Sequence, residues 1–178
     1  MKAKSYYKKL GKILIPSAKL QRKIREIAKQ IEKDYRNDEV VFICNLKGSF
    51  RFLSDLVSYV RIPLNIDFIS FTSYHGTDPG KIRIIKDLKT DIRNKNVIVV
   101  EDIADTGVTI DFIMKYLKDF KYPRDIRICA LLDKVSKRKI DVTIHYRGFV
   151  IPDKFIVGYG LDYREYFREL NDIRIYNG

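Results

Sequence analysis

The sequence predicts an α/β fold: an open, mainly parallel sheet with helices on both faces. Two observations predict it. Short apolar runs at residues 40–44 and 97–100 carry apolar side chains at every position, as strands covered on both sides must, and 126–132 does so but for Arg127. Between them lie stretches whose apolar residues recur at spacings of three and four, the period of an amphipathic helix. Strands alternating with helices build parallel βαβ units, and such a sheet takes its ligands beyond the carboxyl ends of the strands. The loops that follow strands are therefore the places to look for chemistry.

Taken in order, Pro16-Ser17 starts a helix whose stripe is Leu20, Ile24, Ile27, Ala28 and Ile31. The run 40–44 is a strand, closed by Lys47-Gly48. A second helical stripe follows at Phe52, Leu53, Leu56, Val57 and Val60. A short strand at 64–71 gives way to a turn-rich stretch, 72–80, containing Ser73 and Tyr74 and predicting a mobile flap; Ile82, Ile84 and Ile85 then resume a strand pattern. Val97-Ile98-Val99-Val100 is a strand buried on both faces. Ile110, Ile113, Met114 and Leu117 form the next helical stripe, stopped by Tyr122-Pro123, and 126–132 is another buried strand.

The chain has 178 residues, 46% of them apolar, enough to bury a core as one unit, and no repeat, linker or low-complexity tract divides it, so a single domain over 1–178 is expected. Lys+Arg number 35 against Asp+Glu 23, a net charge of +12 that points to phosphate-rich partners. No apolar run approaches the ~20 residues that cross a bilayer, and the start has no secretory pattern, so neither a membrane span nor a leader is expected. Cys44 and Cys129 lie far apart in apolar stretches, without the spacing of a zinc or disulfide framework, so a reducing cytoplasm is the expected compartment.

The most informative segment is Glu101-Asp102-Ile103-Ala104-Asp105-Thr106-Gly107-Val108-Thr109, at the end of the strand 97–100. Amides at a helix N-terminus, with the hydroxyls of Thr106 and Thr109, make an anion site for a phosphate, and Gly107 lets the backbone come close. Glu101 and Asp102 would repel that phosphate unless they face ribose hydroxyls or Mg²⁺. The plainer alternative is that Asp102, Asp105 and Thr109 are turn and cap residues. The P-loop pattern is absent, and Gly158-Tyr159-Gly160-Leu161-Asp162-Tyr163 ends in tyrosine where a dinucleotide fingerprint needs glycine or alanine. Neither the metalloprotease nor the serine hydrolase motif occurs.

This segment resembles the 5-phosphoribosyl-1-pyrophosphate (PRPP) motif of the type I phosphoribosyltransferases. Leu46-Lys47-Gly48-Ser49, Ser73-Tyr74, Leu131-Leu132-Asp133-Lys134 and the stretch from Ile151-Pro152-Asp153 to Asp162-Tyr163 narrow the resemblance to the hypoxanthine-guanine branch. It runs from about Ser17 to Tyr176. It implies that family's fold, with a small hood and a flexible flap bearing Ser73 and Tyr74. It also implies transfer of the 5-phosphoribosyl group from PRPP to N9 of hypoxanthine or guanine, giving IMP or GMP and pyrophosphate, with Mg²⁺ as cofactor and a homodimer or homotetramer as assembly.

Residue by residue, the resemblance makes Asp105 the general base facing purine N7. It gives the phosphate and ribose to Glu101, Asp102 and the stretch Asp105, Thr106, Gly107, Val108 and Thr109. Pyrophosphate falls to Lys47, Gly48 and Arg168, with a non-proline cis peptide before Lys47. The purine falls to Ile103, Lys134, Phe155, Ile156 and Asp162, Lys134 donating to O6 and so favouring 6-oxopurines. Metal falls to Glu101, Asp102 and Asp162. On residues alone Lys47-Gly48 is a turn with a solvated lysine, Arg168 a surface arginine and Phe155-Ile156-Val157 a core strand. The chain departs from the family in a shorter flap and in Ala104. A competing reading is a nucleic-acid-binding regulator on the same fold, suggested by the charge but lacking an aromatic-interleaved basic stripe.

Overall fold

The computed structural model describes residues 2–73 and 82–178. In chain order these form α1 (Lys2–Tyr7), β1 (Leu10–Ile15), α2 (Ser17–Asp34), β2 (Val40–Leu46), α3 (Phe50–Tyr59), β3 (Leu64–Ser73), β4 (Ile82–Lys86), β5 (Asn96–Ala104), α4 (Val108–Lys121), β6 (Asp125–Asp133), β7 (Tyr146–Val150), β8 (Ile156–Val157) and β9 (Ile173–Tyr176). The main sheet has the order β4-β3-β2-β5-β6-β7. Its neighbours pair in parallel from β3 to β7, and β4 closes one edge antiparallel to β3. A second, antiparallel sheet, β1-β9-β8, stands apart as the expected hood.

The central strands alternate between two cores, which is why β2 and β5 read as unbroken apolar runs. Phe42, Cys44, Ile98, Val100, Cys129 and Leu131 pack under α2 and α3. Val41, Ile43, Val97, Val99 and Ile128 pack under α4, through Ile110, Ile113 and Leu117. Helices thus cover both faces, and each buried β-branched side chain contributes on the order of 1.5–3 kcal/mol. Leu20, Ile24, Ile27, Ala28 and Ile31 are the buried face of α2, as their spacing predicts.

Two details differ from the sequence reading. The strand 97–100 continues to Ala104, so Glu101 and Asp102 are strand residues rather than a turn. Pairing with β2 ends at Cys44–Val100, whereas pairing with β6 runs on to Ala104–Asp133. The strands β1, β7 and β9 and the short helix α1 carry mixed polar patterns that periodicity does not pick out, because each lies at an edge or in the hood. Ser73 ends β3, while Tyr74 and the remainder of the expected flap lie outside the described residues. Among the described residues no helix is long and apolar enough to cross a membrane.

Candidate active site

The carboxyl ends of β2, β5 and β6 meet on one side of the main sheet, and the acidic stretch leaves β5 there. Glu101 is 4% exposed, and the Asn45 amide donates to its two oxygens at 3.0 and 3.3 Å. Burial pushes its carboxyl well above the usual range; the neighbouring Asp102 charge adds to this and the Asn45 bond opposes it. Burial likewise lifts Asp102 to about 6, against the pull of the Ile103 N–H, which donates to Asp102 Oδ1 at 2.9 Å. The Asp102 N–H in turn donates to Ser49 Oγ at 2.9 Å. A Cβ on Gly48 would fall 1.7 Å from Asp102 Oδ2, so only glycine lets the loop after β2 lie against this carboxylate. The Leu46–Lys47 peptide just before it is cis.

Beyond β5 the chain turns into α4 at Gly107, whose φ of 87° is the left-handed conformation that favours glycine. A Cβ there would also lie 2.3 Å from the Ile140 carbonyl. The Thr106 carbonyl accepts the N–H groups of Lys139 and Ile140 at 2.9 and 3.1 Å, anchoring the turn from behind. Among the described residues no side chain caps α4, so the cap reading of Asp102, Asp105 and Thr109 fails; at the turn the Val108 N–H donates to Thr106 Oγ1 at 3.4 Å. Glu101, Asp102, Asp105, Thr106, Gly107 and Thr109 line one cleft of about 230 Å³. The Val108 side chain is 38% exposed and does not line it, so only its backbone belongs to the turn.

A second cleft, about 340 Å³, shares Asp102, Ile103 and Asp105 with the first and is completed by Lys47, Gly48, Lys134, Phe155, Ile156, Asp162 and Arg168. Every residue expected to meet pyrophosphate or purine therefore lines one space. Lys134 is 8% exposed, and its ammonium lies 4.0 Å from Asp105 Oδ2 and 3.9 Å from Asp153 Oδ1. Its backbone N–H donates to the Ala104 carbonyl at 2.9 Å, tying the end of β6 to the end of β5. Asp105 Oδ1 is buried and accepts no hydrogen bond among the described residues. Phe155 is 53% exposed although it belongs to an aromatic cluster, so part of its ring is open.

Arg168 donates through Nη1 to the Gly160 carbonyl at 2.7 Å and pairs through Nη2 with Asp162 at 2.7 Å. One oxygen of Glu165 lies 3.2 Å from both Arg168 Nη2 and Lys47 Nζ. The two cations expected to grip pyrophosphate thus share a protein carboxylate.

The sequence reading missed Asn45, Ser49, Asp153 and Glu165. Asn45 had a signal, a lone amide interrupting an apolar strand; Ser49 and Asp153 sit inside the motifs and Glu165 just beyond one, but their contacts depend on how distant loops meet. Among the described residues no three His, Cys, Asp or Glu side chains converge as a metal cage. Glu101 and Asp102 are nevertheless two adjacent carboxylates lining the same cleft, which suits an ion that binds one or two carboxylates and takes its remaining ligands from phosphates and water, the habit of Mg²⁺.

Comparison with known proteins identifies the family. The phosphoribosyl transferase domain model matches residues 14–164. The hypoxanthine phosphoribosyltransferase of Salmonella typhimurium is 40% identical over 162 residues, covering 89% of this chain and 90% of its own. The hypoxanthine-guanine phosphoribosyltransferase of Staphylococcus aureus is 42% identical over 163 residues, 90% of each chain. Among solved structures, a hypoxanthine-guanine phosphoribosyltransferase from Bacillus anthracis superposes with a TM-score of 0.89 at 44% identity, covering 94% of this chain and 97% of that one.

Proposed function

Because the chain belongs to the phosphoribosyltransferase family, we propose that it is a purine salvage enzyme moving the 5-phosphoribosyl group of PRPP to N9 of hypoxanthine or guanine. The observation that carries this reading is the pair of clefts meeting at Asp102, Ile103 and Asp105. One has the size and lining for a ribose phosphate, the other for a flat base and a polyanion. The whole chain acts as one catalytic unit in this reading.

The 5′-phosphate sits on the amides from Asp105 to Thr109, and Glu101 and Asp102 face the ribose hydroxyls. Lys47, the Gly48 amide and Arg168 receive pyrophosphate, with Arg168 and Lys47 released from Glu165 by the stronger anion. The base lies against Phe155 over Ile103, its edge toward the Ile156 backbone and Asp162, and its O6 toward Lys134. Adenine offers a donor where Lys134 also donates, which disfavours it. As the C1′–oxygen bond to pyrophosphate breaks and the N9–C1′ bond forms with inversion, positive charge builds on the sugar and base. Asp105 faces that charge and accepts the proton from N7. Glu101 and Asp102 would hold Mg²⁺, with Asp162 near a second ion, and the metal would supply positive charge against the leaving pyrophosphate. Holding both reactants in adjoining clefts supplies the orientation that the two-substrate reaction needs.

A homo-oligomer and a cytoplasmic, reducing setting complete the proposal; the buried thiols of Cys44 and Cys129, both pushed up by burial, fit the latter. No observation favours the nucleic-acid-binding alternative, and basic side chains such as Arg124 and Arg127 are engaged in ion pairs with Asp38 and Asp34. The test is to mix the protein with PRPP, Mg²⁺ and each of hypoxanthine, guanine, xanthine and adenine, and follow nucleotide formation by absorbance. Product with the 6-oxopurines and little with adenine is expected; no product with any base contradicts the proposal.

A further inference from the structure

The loop carrying Asp162 and Arg168 holds an unfavourable backbone. Arg164, Glu165 and Phe167 all have left-handed backbones, with φ of 53°, 69° and 81°, and none is glycine. Side chains of that kind avoid this region unless surrounding structure imposes it. The loop's own bonds are the exchange between the Tyr163 and Tyr166 backbones at 3.1 Å, the Glu165 N–H donating to Asp162 Oδ2 at 2.8 Å, and the Gly160 N–H donating to the Arg168 carbonyl at 3.1 Å.

From outside, Arg51 of α3 donates to the carbonyls of Arg168, Glu169 and Leu170 at 3.2, 3.0 and 2.7 Å, and the packing on Tyr163, Tyr166 and Phe167 includes residues from the other end of the chain. The Tyr6 ring of α1 meets Tyr163 edge-on, with centroids 5.4 Å apart at 87°, and lies 5.6 Å from Tyr166. Arg164 donates to the Tyr6 hydroxyl at 3.2 Å. The next residue, Tyr7, meets Phe167 at 4.8 Å, and its hydroxyl donates to Glu169. Tyr163 passes the contact onward, since its opposite neighbours are Phe155 at 5.9 Å and Tyr176 at 4.5 Å. One ring, Tyr163, therefore separates α1 from the open ring of Phe155. The family model begins its match at residue 14, so α1 lies outside the part of the chain that the match assigns.

We propose that Tyr6 and Tyr7 make α1 a clamp that positions the 162–168 loop, and with it Arg168, Asp162 and the ring of Phe155, for pyrophosphate and base. Tyr6 and Tyr7 are positioning residues, since they reach the candidate cleft only through Tyr163 and Phe167. The consequence for turnover rests on the transferase reading; the consequence for loop order does not.

The experiment compares Tyr6→Leu and Tyr6→Phe with the unaltered protein by hydrogen exchange of 161–170 and by steady-state kinetics. The clamp predicts faster exchange of 161–170 in Tyr6→Leu, with unchanged exchange in β2, β5 and β6. It also predicts that KM for PRPP and for hypoxanthine rises about five- to tenfold while kcat changes little, the size expected from losing one or two aromatic pairs. Tyr6→Phe keeps the ring and restores both readouts to within about twofold, the loss being only the Arg164 bond. Unchanged exchange in Tyr6→Leu overturns the clamp, as does faster exchange spread evenly over the protein. Faster local exchange with unchanged KM values upholds the packing but overturns the positioning role. Should the unaltered protein make no nucleotide from PRPP, the transferase reading fails and the role in turnover is overturned with it, while the exchange result still decides the packing.

Discussion

The candidate cleft has a floor and a roof, and they are held by different physics. The floor, from Glu101 to Thr109, extends a strand buried on both faces, and its carboxylates sit among fixed backbone donors and the hydroxyl of Ser49. The roof, from Asp162 to Arg168, is irregular backbone whose charges are tied to one another, with Glu165 between Lys47 and Arg168 at two-thirds exposure. A floor of this kind fixes geometry at the expense of buried charge, whereas such a roof can exchange an internal anion for an external one. Precision and exchange are thus divided between the two sides.

Changes in the floor should therefore have the largest effects. Asp105→Asn keeps the shape and removes the charge and the base, so kcat should fall about a thousandfold with KM for PRPP changing little; steady-state kinetics at saturating PRPP checks it. Gly48→Ala puts a methyl group on the Asp102 carboxylate, and an ångström-scale displacement there should lower kcat/KM for PRPP about a hundredfold. A fall of similar size from a change in the roof would erase the contrast.

The floor's buried charge should also show in stability. Burial raises Asp102 from 3.8 to about 6, so the folded chain holds a proton that the unfolded chain releases. The stability from that group is present below the unfolded value and is lost as pH rises toward about 6. Asp102→Asn, neutral throughout, should raise Tm by about 5 °C or more at pH 7.5 and by little at pH 4, as thermal melts will show. An equal shift at both pH values would assign the effect to packing. In the roof, Glu165→Gln frees Lys47 and Arg168 from a surface pairing, so Mg–pyrophosphate should bind about two- to fivefold more tightly by calorimetry, less so in high salt.

The same division governs what could be read from the sequence. Val41, Phe42, Val97 and Ile98 advertise the sheet, because a strand with two buried faces has no polar positions. Glu101, Asp102 and Asp105 stand out because acids are unexpected at the end of such a run. The roof offers no periodicity, and Arg168 and Phe155 were legible only through resemblance. Asn45 showed only as a lone amide in an apolar strand and Glu165 not at all, since their meaning lies in partners 56 and 118 residues away. Tyr6 was likewise opaque: an aromatic in a basic stretch says nothing until Tyr163 is beside it.

Floor and roof are joined in one claim, that the turn leaving β5 holds a ribose phosphate with its base directed at Asp105 and Lys134. A crystal structure with IMP tests it most directly. The account predicts the 5′-phosphate on the amides of Asp105 to Thr109, the purine over Phe155, and O6 within hydrogen-bonding distance of the Lys134 ammonium. A nucleotide bound with its phosphate away from that turn, or with its base turned from Lys134, would contradict it.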